Sequence, residues 1–277
     1  MRHTLFFTKR RRTRASLCRF VAAGSLVLSS LSLANADGQT MLPSTPQELL
    51  ASEPDVFITL LKTSMPQPVS SEEKARVVAF LPGEGVVTRL NRGMQSKLSA
   101  LEPLLRAAER DAVYDVRVVE NPLARIVIYE RTVLLISRTV LALLSAEDLR
   151  AQVAHEIGHE YFTAEYERAT KARDTRRLKD LELMCDAVGM VLLHELGLDP
   201  SRLMKSLETV TLYNRRTSQK GMDESNYPTL DERRKFAAAV RRWIIGKAPA
   251  ARASGRREAP RRGVRERERV GVGPHAH

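Results

Sequence analysis

The sequence predicts an α+β fold that is mostly helical and contains one small three-stranded sheet. The first observation is a group of three short runs rich in β-branched residues at 113–119, 126–129 and 132–136. Such runs, bounded by polar turns, are typical of short strands. The second observation is that capped segments with helical periodicity lie on both sides of this group. The strands are therefore predicted to lie together, with helices before and after them.

Residues 1–36 are predicted to be a signal peptide rather than part of the fold. Seven basic residues and no acidic one lie in this segment, whose apolar stretch runs from Phe20 to Leu33. It ends in Ala34-Asn35-Ala36, the small-x-small pattern that signal peptidase accepts. The apolar stretch is shorter than the roughly 20 residues of a membrane span. We therefore expect cleavage after Ala36 and a periplasmic protein, with membrane anchoring by the uncleaved segment as the alternative.

The formal net charge of +12 is concentrated at the two ends of the chain. With the seven basic residues of 1–36 and the nine basic and three acidic residues of 247–277 set aside, 29 basic and 30 acidic side chains remain. This nearly neutral body argues against a nucleic-acid groove. The tail at 247–277 is predicted to be disordered, and its arginines allow peripheral contact with anionic lipid as an alternative to a solvated tail. Cleavage leaves Cys185 alone, which excludes an intramolecular disulfide.

Residues 37–84 are predicted to wrap, as short helices and loops, around a core formed later in the chain. Five prolines between residues 37 and 70 keep the first helices short, at 46–52 and 56–62. A Ser70-x-x-Glu73 capping box predicts a further helix at 70–81, which Pro82-Gly83 ends.

Residues 85–246 are predicted to form the main domain around the sheet. A helix over 86–110, interrupted near Pro103, precedes the strands. Ser145 is expected to cap a later helix through Asp148, and Gly197 with Pro200 is expected to end another. The helices predicted after the sheet are 139–144, 145–165, 174–196, 201–214 and 229–245.

The helix at 145–165 carries the pattern His155-Glu156-x-x-His159. Residues four apart lie one turn apart on the same helix face, so the two imidazoles can converge on one cation. Glu156 is offset from them, so it can contact a water on the metal and act as its base. The alternative is a solvated helix face, since this pattern also arises by chance. Its position in a capped amphipathic helix after a small sheet favours the metal site.

A catalytic zinc ion needs a third protein ligand. Phe162 and Glu165 occupy the positions at which a metzincin has glycine and histidine, which excludes that class. Glu182 and Asp186, four residues apart on a largely apolar helix, are the predicted source of a carboxylate. Glu182 is then the third ligand, and Asp186 orients a ligand histidine through its far nitrogen. The alternative is a solvated acidic stripe.

These motifs resemble those of the HtpX-like and CAAX-prenyl-endopeptidase family of gluzincin peptidases, which includes Oma-like and periplasmic members. Leu144–His159, which reads LSAEDLRAQVAHEIGH, is similar to the active-site helix of that family. Glu182–Asp186 is similar to its Glu-x-x-Ala-Asp motif, with Cys185 where alanine is usual. The resemblance covers roughly residues 85–240.

Two further motifs of that family appear in altered form. Its His-Pro-x-x-x-x-Arg motif is matched by Tyr227–Arg233, with Tyr227 in place of the histidine. Tyr227 is predicted either to donate a hydrogen bond to a developing oxyanion or to be a turn residue before proline. Arg233 is predicted to lie near the active site or else on a helix surface. Leu123-Ala124 stands where the edge strand of the family has Asn-Ala, and main-chain pairing of a substrate along Ala124–Ile128 is expected.

The resemblance implies a zincin-like metallopeptidase domain over 85–246 and one zinc ion per chain. His155, His159 and Glu182 are the implied ligands, Glu156 is the implied base, and Asp186 supports them. The expected partners are polypeptides, such as unfolded or misassembled envelope proteins, and not nucleic acids. The alternative function is a periplasmic chaperone or assembly factor on the same scaffold, with little proteolysis.

Overall fold

A computed structural model of the chain describes residues 42–81, 85–87, 89–218 and 225–246. The predicted signal peptide at 1–36 and the predicted tail at 247–277 lie outside these residues. The described part is mostly helical and contains one small three-stranded sheet, as the sequence predicts. None of its helices combines the length and the apolar character that a membrane span requires.

The helices and strands follow the predicted order closely. The described helices before the sheet are α1 (Pro46–Ala51), α2 (Pro54–Thr63), α3 (Ser71–Phe80), α4 (Arg92–Ser99) and α5 (Glu102–Ala107). The strands are β1 (Asp115–Val119), β2 (Ile126–Tyr129) and β3 (Val133–Ser137). The helices after the sheet are α6 (Arg138–Leu143), α7 (Ala146–Tyr161), α8 (Thr163–Ala172), α9 (Thr175–Glu195), α10 (Ser201–Thr217) and α11 (Leu230–Gly246).

The sheet has the order β1-β3-β2, with β1 parallel and β2 antiparallel to the central strand β3. The outer edge of β1 is partly covered, because Val86 forms an antiparallel bridge with Val119 and the Val87 amide donates to the Val118 carbonyl at 2.8 Å. The predicted helix over 86–110 was therefore wrong at its start. The observed helix begins only at Arg92, and the side chain of Asn91 caps its first turn. Its interruption near Pro103 is confirmed, since α4 ends before α5 begins.

The helix that carries the His-Glu-x-x-His pattern ends at Tyr161, four residues earlier than predicted. Phe162 leaves the helical conformation and is only 3% exposed, so its ring packs into the core. The Thr163 hydroxyl donates to the carbonyls of His159 and Glu160, which satisfies acceptors that a continuing helix would have used. A separate helix, α8, then follows in a stretch where the sequence predicted none beyond Glu165.

Helices α7 and α9 form the central pair of the fold. Leu149, Val153 and Ile157 of α7 are all buried, which confirms the predicted apolar face. Strand β2 and helix α10 pack against α7, while α1 and α11 pack against α9. The helices before the sheet join the same core, because Phe57 of α2 packs edge-on against Trp243 of α11 with ring centroids 5.7 Å apart.

A buried ion cluster fixes the C-terminal end of α7. Glu160 accepts a hydrogen bond from the Tyr114 hydroxyl and lies 3.2 Å from a guanidinium nitrogen of Arg110. Arg131 approaches the same carboxylate at 3.6 Å. Arg110 also donates to the Pro66 carbonyl, and Arg131 donates to the Gln67 carbonyl. Both carbonyls belong to the segment between α2 and α3. The cluster thus ties that segment to the end of the helix on which the histidines lie.

Candidate metal centre

Helix α7 brings His155 and His159 together as the sequence predicts. The Nε2 atoms of the two rings lie 3.2 Å apart, and the rings meet edge to face with centroids 4.9 Å apart. His155 is buried, whereas the side chain of His159 is 29% exposed. The site is therefore enclosed on the His155 side and open to solvent on the His159 side.

Helix α9 places two carboxylates against these rings. Glu182 Oε2 lies 3.6 Å from His155 Nε2, and Glu182 Oε1 lies 3.9 Å from His159 Nε2. Asp186 Oδ1 lies 2.8 Å from His155 Nδ1, but this contact is poorly aligned for a hydrogen bond. Glu182 is 5% exposed and Asp186 is 2% exposed, so the alternative of a solvated acidic stripe was wrong.

Two glycines allow α7 and α9 to cross closely at this point. A Cβ atom on Gly158 would lie 2.8 Å from Cys185 Cα and 2.9 Å from its carbonyl oxygen. A Cβ atom on Gly189 would lie 3.0 Å from the amide nitrogen of His155. Neither main chain can yield without moving its helix, so these glycines fix the separation of His155 from Glu182. The sequence signal for this contact is a glycine inside each of two helices, where glycine is otherwise unfavourable.

Gly158→Ala is expected to lower the free energy of unfolding by about 1–3 kcal/mol, because the added methyl group pushes α7 away from α9. Chemical denaturation measures this loss. Gly93→Ala is the matched control, since a Cβ atom there meets only a side-chain oxygen at 3.4 Å. We expect the control to be neutral or slightly stabilising, because alanine favours a helix. A Gly158→Ala protein as stable as the control variant would contradict the close crossing.

Arg233 of α11 joins the two carboxylates of α9. Its Nη1 atom donates to both oxygens of Asp186 at 2.6 and 2.8 Å, and its Nη2 atom donates to Glu182 Oε2 at 2.7 Å. The residue is only 6% exposed, so the alternative of a helix-surface arginine was wrong. Burial opposes a charged guanidinium, but the two carboxylates outweigh it and raise the pKa of Arg233.

Tyr166 is a member of this site that the sequence analysis missed. Its hydroxyl donates to Glu182 Oε1 at 2.9 Å, and its ring lies against that of His159 with centroids 4.9 Å apart. It was missed because it lies on α8, the helix that was not predicted. Glu182 therefore has a hydrogen-bond donor on each oxygen, Tyr166 on one and Arg233 on the other.

Tyr227 is 47% exposed, and it is close enough to Glu182 and Glu156 for their charges to act on its phenol. Burial of its phenol and the charge of Glu182 raise the pKa of Tyr227 above its ordinary value, so the hydroxyl is protonated at neutral pH. The residue comes just before α11, the helix that carries Arg233. A protonated phenol can donate one hydrogen bond.

The pKa values divide the site into groups with different protonation. Burial raises the pKa of Glu156 to about 7, and burial lowers the pKa of His159 to about 4. Burial also opposes ionisation of Glu182, but the neighbouring histidines and Arg233 outweigh it and lower the pKa of that carboxyl. At neutral pH the site thus holds a neutral His159, an ionised Glu182 and a Glu156 that can both accept and release a proton.

The donor set offers nitrogen and oxygen atoms at a spacing that could hold a metal ion. Ligand atoms of His155, Glu156 and His159 all lie within 4.8 Å of one another, and Glu182 approaches both histidines from the facing helix. Two imidazole nitrogens bound tetrahedrally to zinc at about 2.0–2.1 Å lie roughly 3.3 Å apart, close to the 3.2 Å between His155 and His159. Either Glu156 or Glu182 is near enough to be the third donor.

No protein-family model matches this chain, and no curated protein matches it.

Proposed function

We propose that this protein is a zinc-dependent endopeptidase with a zincin-like fold, as its resemblance to the HtpX-like and CAAX-prenyl-endopeptidase family implies. The observation that carries the proposal is the convergence of four side chains, two imidazoles and two carboxylates. Two imidazole nitrogens lie 3.2 Å apart, a buried carboxylate faces both from another helix, and a further carboxylate lies beside them. The open side of the site, at His159, leaves room for a substrate.

His155, His159 and Glu182 are the proposed zinc ligands. A bound zinc ion would supply Lewis-acid activation of water and of the substrate carbonyl. Glu182 is preferred to Glu156 as the third ligand because its carboxylate faces the Nε2 atoms of both histidines from α9, at 3.6 and 3.9 Å. Tyr166 and Arg233 each donate to one oxygen of Glu182. Each oxygen has a second lone pair, which remains available to a metal ion.

Glu156 is the proposed general base and then general acid. Its pKa of about 7 suits a group that takes a proton from the attacking water and returns it to the leaving amine. Tyr227 is proposed to donate a hydrogen bond to the developing oxyanion from the open side of the site. Asp186 is a positioning residue, because it contacts the Nδ1 atom of His155 rather than the substrate.

Strand β2 is the proposed binding edge for an extended peptide. It is the outer strand next to α7, and Val127 on it is exposed. Pairing cannot begin at Ala124, because the side chain of Asn214 already binds both main-chain groups of that residue at 2.8 Å. The usable edge therefore starts further along the strand. The proposed substrates are unfolded or misassembled polypeptides of the cell envelope, with the mature protein in the periplasm.

Purified protein is expected to bind one zinc ion per chain and to hydrolyse casein. Glu156→Gln should lower the hydrolysis rate by about 10²- to 10⁴-fold while zinc remains bound, because it removes only the proton acceptor. Glu147→Gln on the same helix is the control, since that side chain is 50% exposed and pairs with Arg202. Metal analysis and a fluorescent casein assay measure both quantities.

Three results would contradict parts of this proposal. A protein that takes up no metal would contradict the metal centre. Full occupancy with no hydrolysis of any unfolded substrate would favour the chaperone or assembly factor. Equal activity of the Glu156→Gln and Glu147→Gln proteins would exclude Glu156 as the base.

A further inference from the structure

Arg125 lies just before β2, at the point where this edge strand starts beside α7. Its main chain is held from the central strand, because its amide donates to Ser137 Oγ and its carbonyl accepts from the Ser137 amide, each at 2.9 Å. The preceding residue, Ala124, is bound through both main-chain groups by Asn214 of α10. Four hydrogen bonds thus fix the position from which the side chain of Arg125 extends.

The guanidinium of Arg125 is available to a ligand. The residue is exposed, and it has no ion-pair partner among the residues that the structure describes. Arg233, by contrast, is buried and neutralised by two carboxylates. Arg125 is therefore an exposed cation at the start of the proposed peptide-binding edge, just before the strand that packs against the helix of His155 and His159.

We propose that Arg125 determines substrate specificity, by binding a carboxylate of the peptide close to the bond that is cleaved. This inference rests on the proposed peptidase function. Arginine suits the role because its planar guanidinium can donate two parallel hydrogen bonds to one carboxylate. Because the main chain of Arg125 is already fixed, ligand binding has to order only its side chain. The carboxylate belongs either to an acidic side chain or to the free C-terminus of the substrate.

Binding of short peptides to the zinc-loaded Glu156→Gln protein tests this proposal without turnover. One set of peptides has blocked ends and a single glutamate moved along the sequence, and a second set has glutamine at the same positions. The glutamine peptides are also prepared with a free C-terminal carboxylate. We expect the carboxylate peptides to bind about 10-fold more tightly than the blocked glutamine peptides at one position. The glutamate and free-end arms distinguish the two sources of the carboxylate.

Variants of Arg125 in the same Glu156→Gln background identify the residue responsible. Arg125→Gln is expected to abolish the preference and retain zinc, and Arg125→Glu is expected to reverse it in favour of lysine at that position. Arg242→Gln, an exposed arginine on α11, is the matched control and should preserve the preference. No preference for carboxylate peptides, or a preference that survives Arg125→Gln, would overturn the inference.

The same binding measurement separates this inference from the proposed function. If the zinc-loaded wild-type protein cleaves no peptide, the peptidase proposal fails, yet an Arg125-dependent preference would still support the carboxylate-binding role. If peptides are cleaved at equal rates whether or not they carry a carboxylate, and binding also shows no preference, the peptidase proposal stands and the role of Arg125 is overturned.

Discussion

Replacement of Arg233 by methionine is expected to lower the free energy of unfolding of the metal-free protein by about 3–5 kcal/mol. Arg233 donates to Asp186 and to Glu182, and all three side chains are buried. Methionine fills a similar volume but leaves two buried carboxylates without their cation, and this uncompensated charge is what makes the change so costly. Arg233→Lys should be intermediate, because a single ammonium cannot reach both carboxylates with the geometry of a guanidinium.

The neighbouring Arg234 provides the control for that experiment. It lies on the same helix and pairs with Glu208 and Asp231 at the surface, so Arg234→Met should change the denaturation midpoint little. We also expect the loss in Arg233→Met to be smaller in zinc-loaded protein, since a bound cation would partly replace the missing charge. If Arg233→Met unfolds at the same denaturant concentration as Arg234→Met, then Arg233 does not hold the two carboxylates together.

The grouping of strands and helices could be predicted because it depends on local patterns. β-branched runs predict the three strands, and Ser145 does cap α7 by accepting from the Asp148 amide. The failures occurred where tertiary contacts overrode those patterns. Val86 pairs with Val119 instead of joining a helix, and Phe162 leaves α7 because the core accepts its ring.

In the candidate site too, residues placed by local spacing could be predicted and residues placed by tertiary contacts could not. His155, Glu156 and His159 were predictable because one helical turn brings them together, and the spacing of Glu182 and Asp186 placed both on one helix face. Tyr166 and Asn214 were not predictable, because each contributes through a contact between separate helices or strands. A lone tyrosine or asparagine has no spacing that indicates its partner. The roles of the two histidines and three acidic residues in binding zinc and in catalysis, and that of Tyr227, stay predictions.

The second large effect is expected from replacing Glu182, the proposed third zinc ligand. Glu182→Gln is expected to weaken zinc binding more than about 100-fold, because losing a ligand should cost more than the 10- to 100-fold typical of residues that only support one. The amide also offers a nitrogen where Arg233 and Tyr166 both donate, so one of these hydrogen bonds is lost as well. Competition with a chromophoric chelator measures the affinity.

The comparison with Glu156→Gln decides between the two carboxylates near the histidines. We expect Glu156→Gln to retain zinc and lose activity, whereas Glu182→Gln loses both. Glu165→Gln on α8 is the control for an acidic residue outside the proposed ligand set, since Glu165 pairs with the exposed Arg168. Tyr166→Phe should fall between these extremes, at about a 10-fold loss of affinity, because it removes only one hydrogen bond to the ligand oxygen. The opposite pattern, with zinc lost in Glu156→Gln and kept in Glu182→Gln, would make Glu156 the ligand and leave the proposed mechanism without its base.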